Sequence, residues 1–254
     1  MHALSRPSLA TPLLLALALA TAPCFAAAKH AAHATKAHTT KAHATKPHPG
    51  NSAAVEKSHG PLADFRNVRA GKDVVQLANW VSYTYDSQRR PFVIIDKKAA
   101  EMYVFDGWGR LWSTSPVLVG MAVGDDSAPG VGSKRLSQLK PSEKTTPAGR
   151  FEARPGKDNH GANVVWIDYD AALSMHAIAS VSASERRAER MATPDPSDNR
   201  ISNGCINLPP KFFTGVLWPT VRKSGAIVYV LPETRSAYQQ FGAYDVTSDR
   251  RSRA

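Results

Sequence analysis

Cysteine is nearly absent: Cys24 and Cys205 are the only two in 254 residues. Cys24 lies in an N-terminal segment expected to be cut away, which leaves one thiol and excludes an intramolecular disulfide. Long apolar runs are also missing. The run Leu13–Ala20 is too short and too alanine-rich to span a bilayer, and no other stretch is apolar and long enough. The part expected to fold has no internal repeat, which excludes a solenoid. Acidic residues are scarce at the start, where Arg6 and five lysines in residues 1–60 face the single acid Glu56. The net charge is +11, so a polyanion is an expected partner. No nucleic-acid motif and no basic–aromatic groove pattern is present, which argues against DNA or RNA as that partner.

The first 28 residues combine one positive charge at Arg6, the apolar run Leu13–Ala20 and the small residues Ala26-Ala27-Ala28. That order describes a secretory signal peptide over residues 1–28. Cleavage near Ala26 or Ala28 removes Cys24. Lipidation of Cys24 is the alternative, and Thr21-Ala22-Pro23 suits it poorly. The mature chain is therefore expected to be exported, to the periplasm or cell envelope. Residues 29–60 are low complexity, with His33, His38, His43 and His48 recurring every five residues between lysines, alanines and threonines. A five-residue period suits neither helix nor strand, and few large apolar side chains are there to bury. This stretch reads as a disordered basic tether. Attraction to an anionic wall or membrane surface and weak metal binding by its histidines both stay open. Nothing in the tract fixes a coordination geometry.

Residues 61–90 read as an N-terminal helical extension, because Val74, Leu77, Ala78 and Val81 follow Asp73 at helical spacing. Over 91–232 the pattern turns to short strands: Phe92–Asp96, Met102–Phe105, Leu111–Thr114, Val117–Val119, Val164–Ile167, Ala172–His176 and Ala226–Leu231. Gly and Asp turns between them predict antiparallel meanders, hence a mainly β fold with a few short helices. Lys211–Trp218 predicts an amphipathic helix broken near Pro219. Residues 182–200 read as a charged insertion, either a lid over a site or a solvated helix. Residues 233–254 read as a basic, frayed tail.

Ser202-Asn203-Gly204-Cys205-Ile206-Asn207 is the stretch with chemistry in it. Gly204 permits a sharp turn or a close backbone approach. Pro209-Pro210 and the apolar run after them predict a helix entered just past Cys205, whose N-terminus would favour a thiolate. A small buried apolar cysteine is the competing reading. Two histidines are candidate bases: His176, at the end of an expected strand, and His160, in a polar loop between Asn159 and Gly161.

The Ser-Asn-Gly-Cys-Ile-Asn block resembles the active-site motif of the L,D-transpeptidases, the YkuD-type cysteine enzymes of the bacterial cell wall. That motif has an upstream histidine, here His176, and then Ser/Thr-His-Gly-Cys-hydrophobic-Asn/Arg. Ser202, Gly204, Cys205, Ile206 and Asn207 match, and Asn203 replaces the second family histidine. The gap from His176 to Ser202 is longer than is usual in the family. Thr146-Pro147-Ala148-Gly149-Arg150-Phe151 resembles the family's Thr-Pro-x-Gly-x-Phe turn. The resemblance spans roughly residues 91–232. It implies a β-sandwich and a peptidoglycan transpeptidase in which Cys205 attacks the third-residue carbonyl of a tetrapeptide stem and releases D-alanine. His176 would be the base, oriented by the backbone carbonyl of Ala177. Gly204, Ser202, Asn203 and Asn207 would shape the site and its oxyanion hole. The acceptor would be an amine of a second stem peptide or of a wall-anchored protein, and no metal or organic cofactor is implied. A carboxypeptidase on the same scaffold, with water as acceptor, and a non-catalytic wall-binding protein are the alternatives. Asparagine at 203 can hydrogen-bond but cannot titrate near neutrality.

The tether predicts a salt- and pH-dependent association. Deleting residues 29–60 should leave turnover of a soluble fragment intact and reduce pelleting with isolated sacculi. The full mature chain should pellet better at pH 6 than at pH 8, because histidine titrates near pH 6.5. It should pellet less as salt shortens the screening length to about 10 Å at 0.1 M.

Overall fold

The computed structural model describes residues 59–178 and 183–252. The expected signal peptide and all but the end of the 29–60 tether lie outside them. Helix α1 (Lys72–Thr84) forms where the helical periodicity places it, and Val74, Leu77, Ala78 and Val81 are fully buried along one face. Asp73 sits in its first turn, where a negative charge complements the helix dipole. Tyr85, at φ 56°, ends it in the left-handed conformation.

The strands are β1 (Phe92–Asp96), β2 (Glu101–Phe105), β3 (Leu111–Pro116), β4 (Val119–Gly120), β5 (Gly149–Lys157), β6 (Asn163–Asp168), β7 (Leu173–Ala177), β8 (Arg200–Ser202), β9 (Ile206–Leu208) and β10 (Ala226–Val230). Eight form the order β3-β2-β1-β10-β5-β6-β7-β9, and β4 pairs with β8. Strand β5 belongs to both halves of the large sheet. Its residues Gly149–Ala153 pair with β10, and Arg154–Lys157 pair with β6. The halves share a core in which Val93, Met102 and Val228 from one meet Val165, Met175 and Ile206 from the other. This is the expected mainly β, layered arrangement. The unbroken apolar runs of β1, β2 and β10 reflect burial on both faces. Phe92, Ile94, Tyr103, Phe105 and Tyr229 pack under α1, while Val93, Ile95, Met102, Val104 and Val228 point into the shared core.

Two pairings depart from the meander: β1 with β10 and β7 with β9 are parallel. Parallel neighbours need a long crossover rather than a hairpin turn. The described part of the charged insertion, residues 183–200, lies within that crossover for β7 and β9. It carries the short helix α2 (Arg187–Ala192), anchored by the buried Met191.

Two expectations fail. Helical structure continues through Pro219: α3 (Pro210–Phe212), a π-helical turn over Phe213–Leu217 and α4 (Trp218–Ser224) follow without a gap. Proline has no N–H to donate, and the chain meets this with a widened turn, in which Trp218 N–H reaches Phe213 O, rather than with a break. Residues 233–252 are no frayed tail. They hold α5 (Ala237–Phe241), capped by Ser236 Oγ on Gln239 N–H, and α6 (Val246–Ser252). Ala237, Ala243 and Val246 are buried, and Gln76 of α1 donates to Ala243 O at 2.9 Å. The basic side chains of the stretch drew attention from the apolar ones that tie it down.

A buried charge cluster stands at the end of β1. Lys97, 1% exposed, donates to Gly124 O, to Thr146 O at 3.0 Å and to Asp125 Oδ1 at 3.1 Å, with Glu233 3.4 Å away. Glu233 is also paired with Arg200. Burial pushes the Asp125 pKa up. Hydrogen bonds from Thr234, from the Glu233 and Thr234 N–H groups and from Lys97 outweigh it, and hold the carboxyl well below the usual carboxylate range. A depressed folded-state pKa contributes stability above the unfolded value near 3.9, and that stability is lost as pH falls through the folded value. Asp125→Asn should therefore destabilise the fold by about 3 kcal/mol at pH 7, since it leaves a buried ammonium short of one partner. The difference from wild type should shrink below about pH 4, as measured by urea unfolding across pH.

Candidate active site

The register of β7 on β9 sets Met175 opposite Ile206 and His176 opposite Asn207. Side chains alternate along a strand. Met175, Ile206 and Leu208 therefore enter the core, and Ser174, His176, Cys205 and Asn207 share the other face. Cys205 Sγ lies 3.6 Å from Ser174 Oγ and 3.6 Å from Ala172 O. His176 Nδ1 lies 2.8 Å from Ala177 O, a carbonyl that can only accept, so Nδ1 carries the proton and Nε2 presents its lone pair. Asn207 Nδ2 is 3.2 Å from that Nε2.

The two reactive groups perturb each other. Burial raises the Cys205 thiol pKa, but the hydrogen bond and charge of His176, with further hydrogen bonds from Ser174, bring it below the ordinary value. Burial lowers the His176 pKa, yet the Cys205 hydrogen bond and charge and the Ala177 carbonyl raise it overall, with Arg187 acting against them. Both shifts favour a thiolate–imidazolium pair. The helix dipole expected to help is not in position. Cys205 runs into β9, and the helical stretch begins only at Pro210. Ile206–Leu208 is drawn into the sheet because Ile206 and Leu208 fill the core while Asn207 exchanges both backbone hydrogen bonds with Leu118.

The loop before the cysteine is shaped by the threonine turn. Gly204 has φ +126°, and a Cβ there would stand 2.9 Å from Thr145 O. Thr146 Oγ1 donates to Gly204 O at 2.6 Å and accepts from Gly120 N–H. Gly204 N–H is turned to Ser202 Oγ at 3.1 Å, so it is engaged within the loop. Asn203, Gly204 and Cys205 line a small cleft together with Ala172, Thr145 and Pro147. Its far wall is the 127–143 loop, including Leu136 and the Lys134–Glu143 ion pair.

His160 is exposed in the turn after β5, and only its backbone N–H is held, by Asp158 Oδ1. His176, Asn207, Ala177, Ser202, Asn203 and Gly204 are brought together around Cys205. Sequence reasoning missed Ser174, which the two-residue spacing from His176 could have flagged. It also missed Arg187, whose guanidinium bonds Asn207 Oδ1 and Glu185. Among the described residues no group of three or more His, Cys, Asp or Glu side chains converges to hold a metal, and no helix is long and apolar enough to cross a membrane.

This geometry predicts a reactive thiol. Cys205 should be alkylated by iodoacetamide at pH 7 and below, where a thiol of pKa about 8.5 is only a few per cent ionised. In His176→Ala burial is opposed only by the Ser174 hydrogen bonds, and the apparent thiol pKa should rise. An unchanged rate–pH profile in that variant would show that the two groups are not coupled.

No protein-family model matches the chain, and no curated protein sequence matches it. Solved structures that it resembles include L,D-transpeptidases. An L,D-transpeptidase from Mycobacterium smegmatis is 16% identical, over 56% of this chain and 58% of that one, with a TM-score of 0.34. The helical cell shape determining protein Pgp2 from Campylobacter jejuni is 15% identical, over 58% and 49%, with a TM-score of 0.37. The catalytic domain of the Enterococcus faecium L,D-transpeptidase is 17% identical, over 56% and 98%, with a TM-score of 0.31. The chain spans about half to three-fifths of the length of the first two.

Proposed function

We propose that the protein is an exported cysteine acyltransferase acting on peptidoglycan stem peptides, an L,D-transpeptidase. The observation that carries this reading is that Cys205 and His176 share one face of the β7–β9 pair, with the thiol 3.6 Å from Ser174 Oγ and the imidazole Nδ1 held by Ala177 O. The Cys205 thiolate attacks the carbonyl carbon of the third stem residue, and the carbonyl electrons move to oxygen. Gly204 N–H is occupied by Ser202, so we assign the Cys205 N–H as a donor to that oxyanion. When the tetrahedral intermediate collapses, the C–N bond to D-alanine breaks and imidazolium Nε2–H protonates the leaving amine. An acceptor amine then attacks the thioester, His176 takes its proton, and the thiolate leaves. The cleft beside Cys205 is mostly apolar and carries the Lys134–Glu143 ion pair, which suits a peptide bearing both apolar and charged groups. Asn203 stands in for a family histidine and adds hydrogen-bonding capacity without a titrating proton.

Incubation of the full mature chain with a disaccharide-tetrapeptide tests the reading by mass spectrometry. A cross-linked dimer formed with loss of D-alanine is the expected product. Tripeptide alone would make the protein a carboxypeptidase, and unchanged substrate would leave it a wall-binding protein. Cys205→Ala should abolish product with little change in Tm. His176→Ala should lower the rate by roughly 10²- to 10⁴-fold, and His160→Ala should leave it near wild type.

A further inference from the structure

Asn207 is completely buried, so both ends of its carboxamide must be satisfied inside the protein. Its two neighbours differ in what they can do. A guanidinium only donates, so the atom facing Arg187 must be the acceptor Oδ1. The amide nitrogen is thereby left facing His176 Nε2 at 3.2 Å. An amide nitrogen only donates, so it satisfies Nε2 while Nε2 carries a lone pair and opposes its protonation. Arg187 is itself held: its side chain is 10% exposed, and Nε donates to Glu185 Oε2 at 2.6 Å. The whole relay depends on a segment of the β7–β9 crossover, not on the strands that carry the reactive pair.

We propose that Arg187 is a positioning residue that locks the Asn207 carboxamide with its nitrogen toward His176, so that the crossover segment 183–192 sets the protonation state of the imidazole. With Arg187 docked, the Asn207 amide and the Arg187 charge oppose the pull of Cys205 on the imidazole toward imidazolium. With Arg187 withdrawn, the carboxamide is free to rotate and offer Oδ1 to an Nε2–H, and the thiolate–imidazolium pair gains a hydrogen bond. Segment 183–192 thus shifts the balance between thiol with neutral base and ion pair. The charged or titratable groups that bear on His176 are Cys205 from the β9 side, Arg187 and its partner Glu185 from the crossover, and Asp158 from the end of β5. Asp158 and Cys205 favour the imidazolium, and Arg187 is the cation set against it. The inference rests on Cys205 and His176 being the reacting pair of the proposed function, but not on which acceptor that pair serves.

The test reads the thiol directly and needs no turnover. Iodoacetamide alkylation of Cys205 is followed against pH in the full mature chain, with the histidine tautomer read by ¹H–¹⁵N NMR. Arg187→Ala should lower the apparent thiol pKa by about half to one unit, a roughly three- to tenfold gain in alkylation rate below that pKa. The His176 resonances should become imidazolium-like at a higher pH than in wild type. Arg187→Lys, which keeps charge and donor, should restore most of the wild-type profile. In an Asn207→Ala background the further substitution Arg187→Ala should move the profile much less. Should Arg187→Ala fail to fold, Glu185→Gln, which loosens Arg187 without removing it, should shift the profile in the same direction. A folded Arg187→Ala whose alkylation profile and histidine resonances superimpose on wild type overturns the proposal. So does an equal shift with and without Asn207, which would reduce Arg187 to a distant charge. Failure of the tetrapeptide assay with the alkylation shift intact would overturn the substrate reading and leave the relay standing.

Discussion

One parallel register organises the site. Because β7 and β9 run the same way with His176 opposite Asn207, every second residue of each strand falls on one face, and four polar side chains form a block. A slip of β9 by one residue would send Cys205 and Asn207 into the core and bring Ile206 out. The apolar residues thus fix the geometry of the Cys205–His176 face as much as the polar ones do. Burial of Met175, Ile206 and Leu208 is worth on the order of 1.5–3 kcal/mol each, and it is this burial that pins the register.

The second constraint is the ledge under the cysteine loop. Lys97 holds Thr146 O, Thr146 Oγ1 holds Gly204 O, and Thr145 O leaves no room for a Cβ at Gly204. The ammonium at the end of β1 and the thiol before β9 are thereby linked through a single turn. Asp125 and Glu233 keep that ammonium where it is. The Lys97–Asp125–Glu233 cluster therefore belongs to the structure that shapes the loop before Cys205.

Much of this was legible in the sequence, for identifiable reasons. The apolar runs of β1, β2 and β10 and the periodicity of α1 are strong local signals, and the elements form where those signals stand. The block around Cys205 and the histidine at 176 were legible through a family resemblance, since neither residue announces itself by spacing alone. What stayed hidden is non-local. That Ile206–Leu208 joins a sheet instead of leading into a helix depends on Leu118 and β7, both distant in the chain. Arg187 reads as one of several solvated charges until Asn207 is seen beside it. The last twenty residues look basic and loose because the few apolar ones that dock, Ala243 and Val246 among them, are outnumbered.

Strand β10 sits between β1 and β5, although it is the last strand made. Phe92 thus pairs with Ile227, and the sheet cannot close until nearly the whole chain is present. Such distant pairings place loop-closure entropy ahead of the contacts that repay it, so folding is expected to be slow and to finish late. An emerging chain of this kind stays unstructured in its central sheet until its C-terminal third is available.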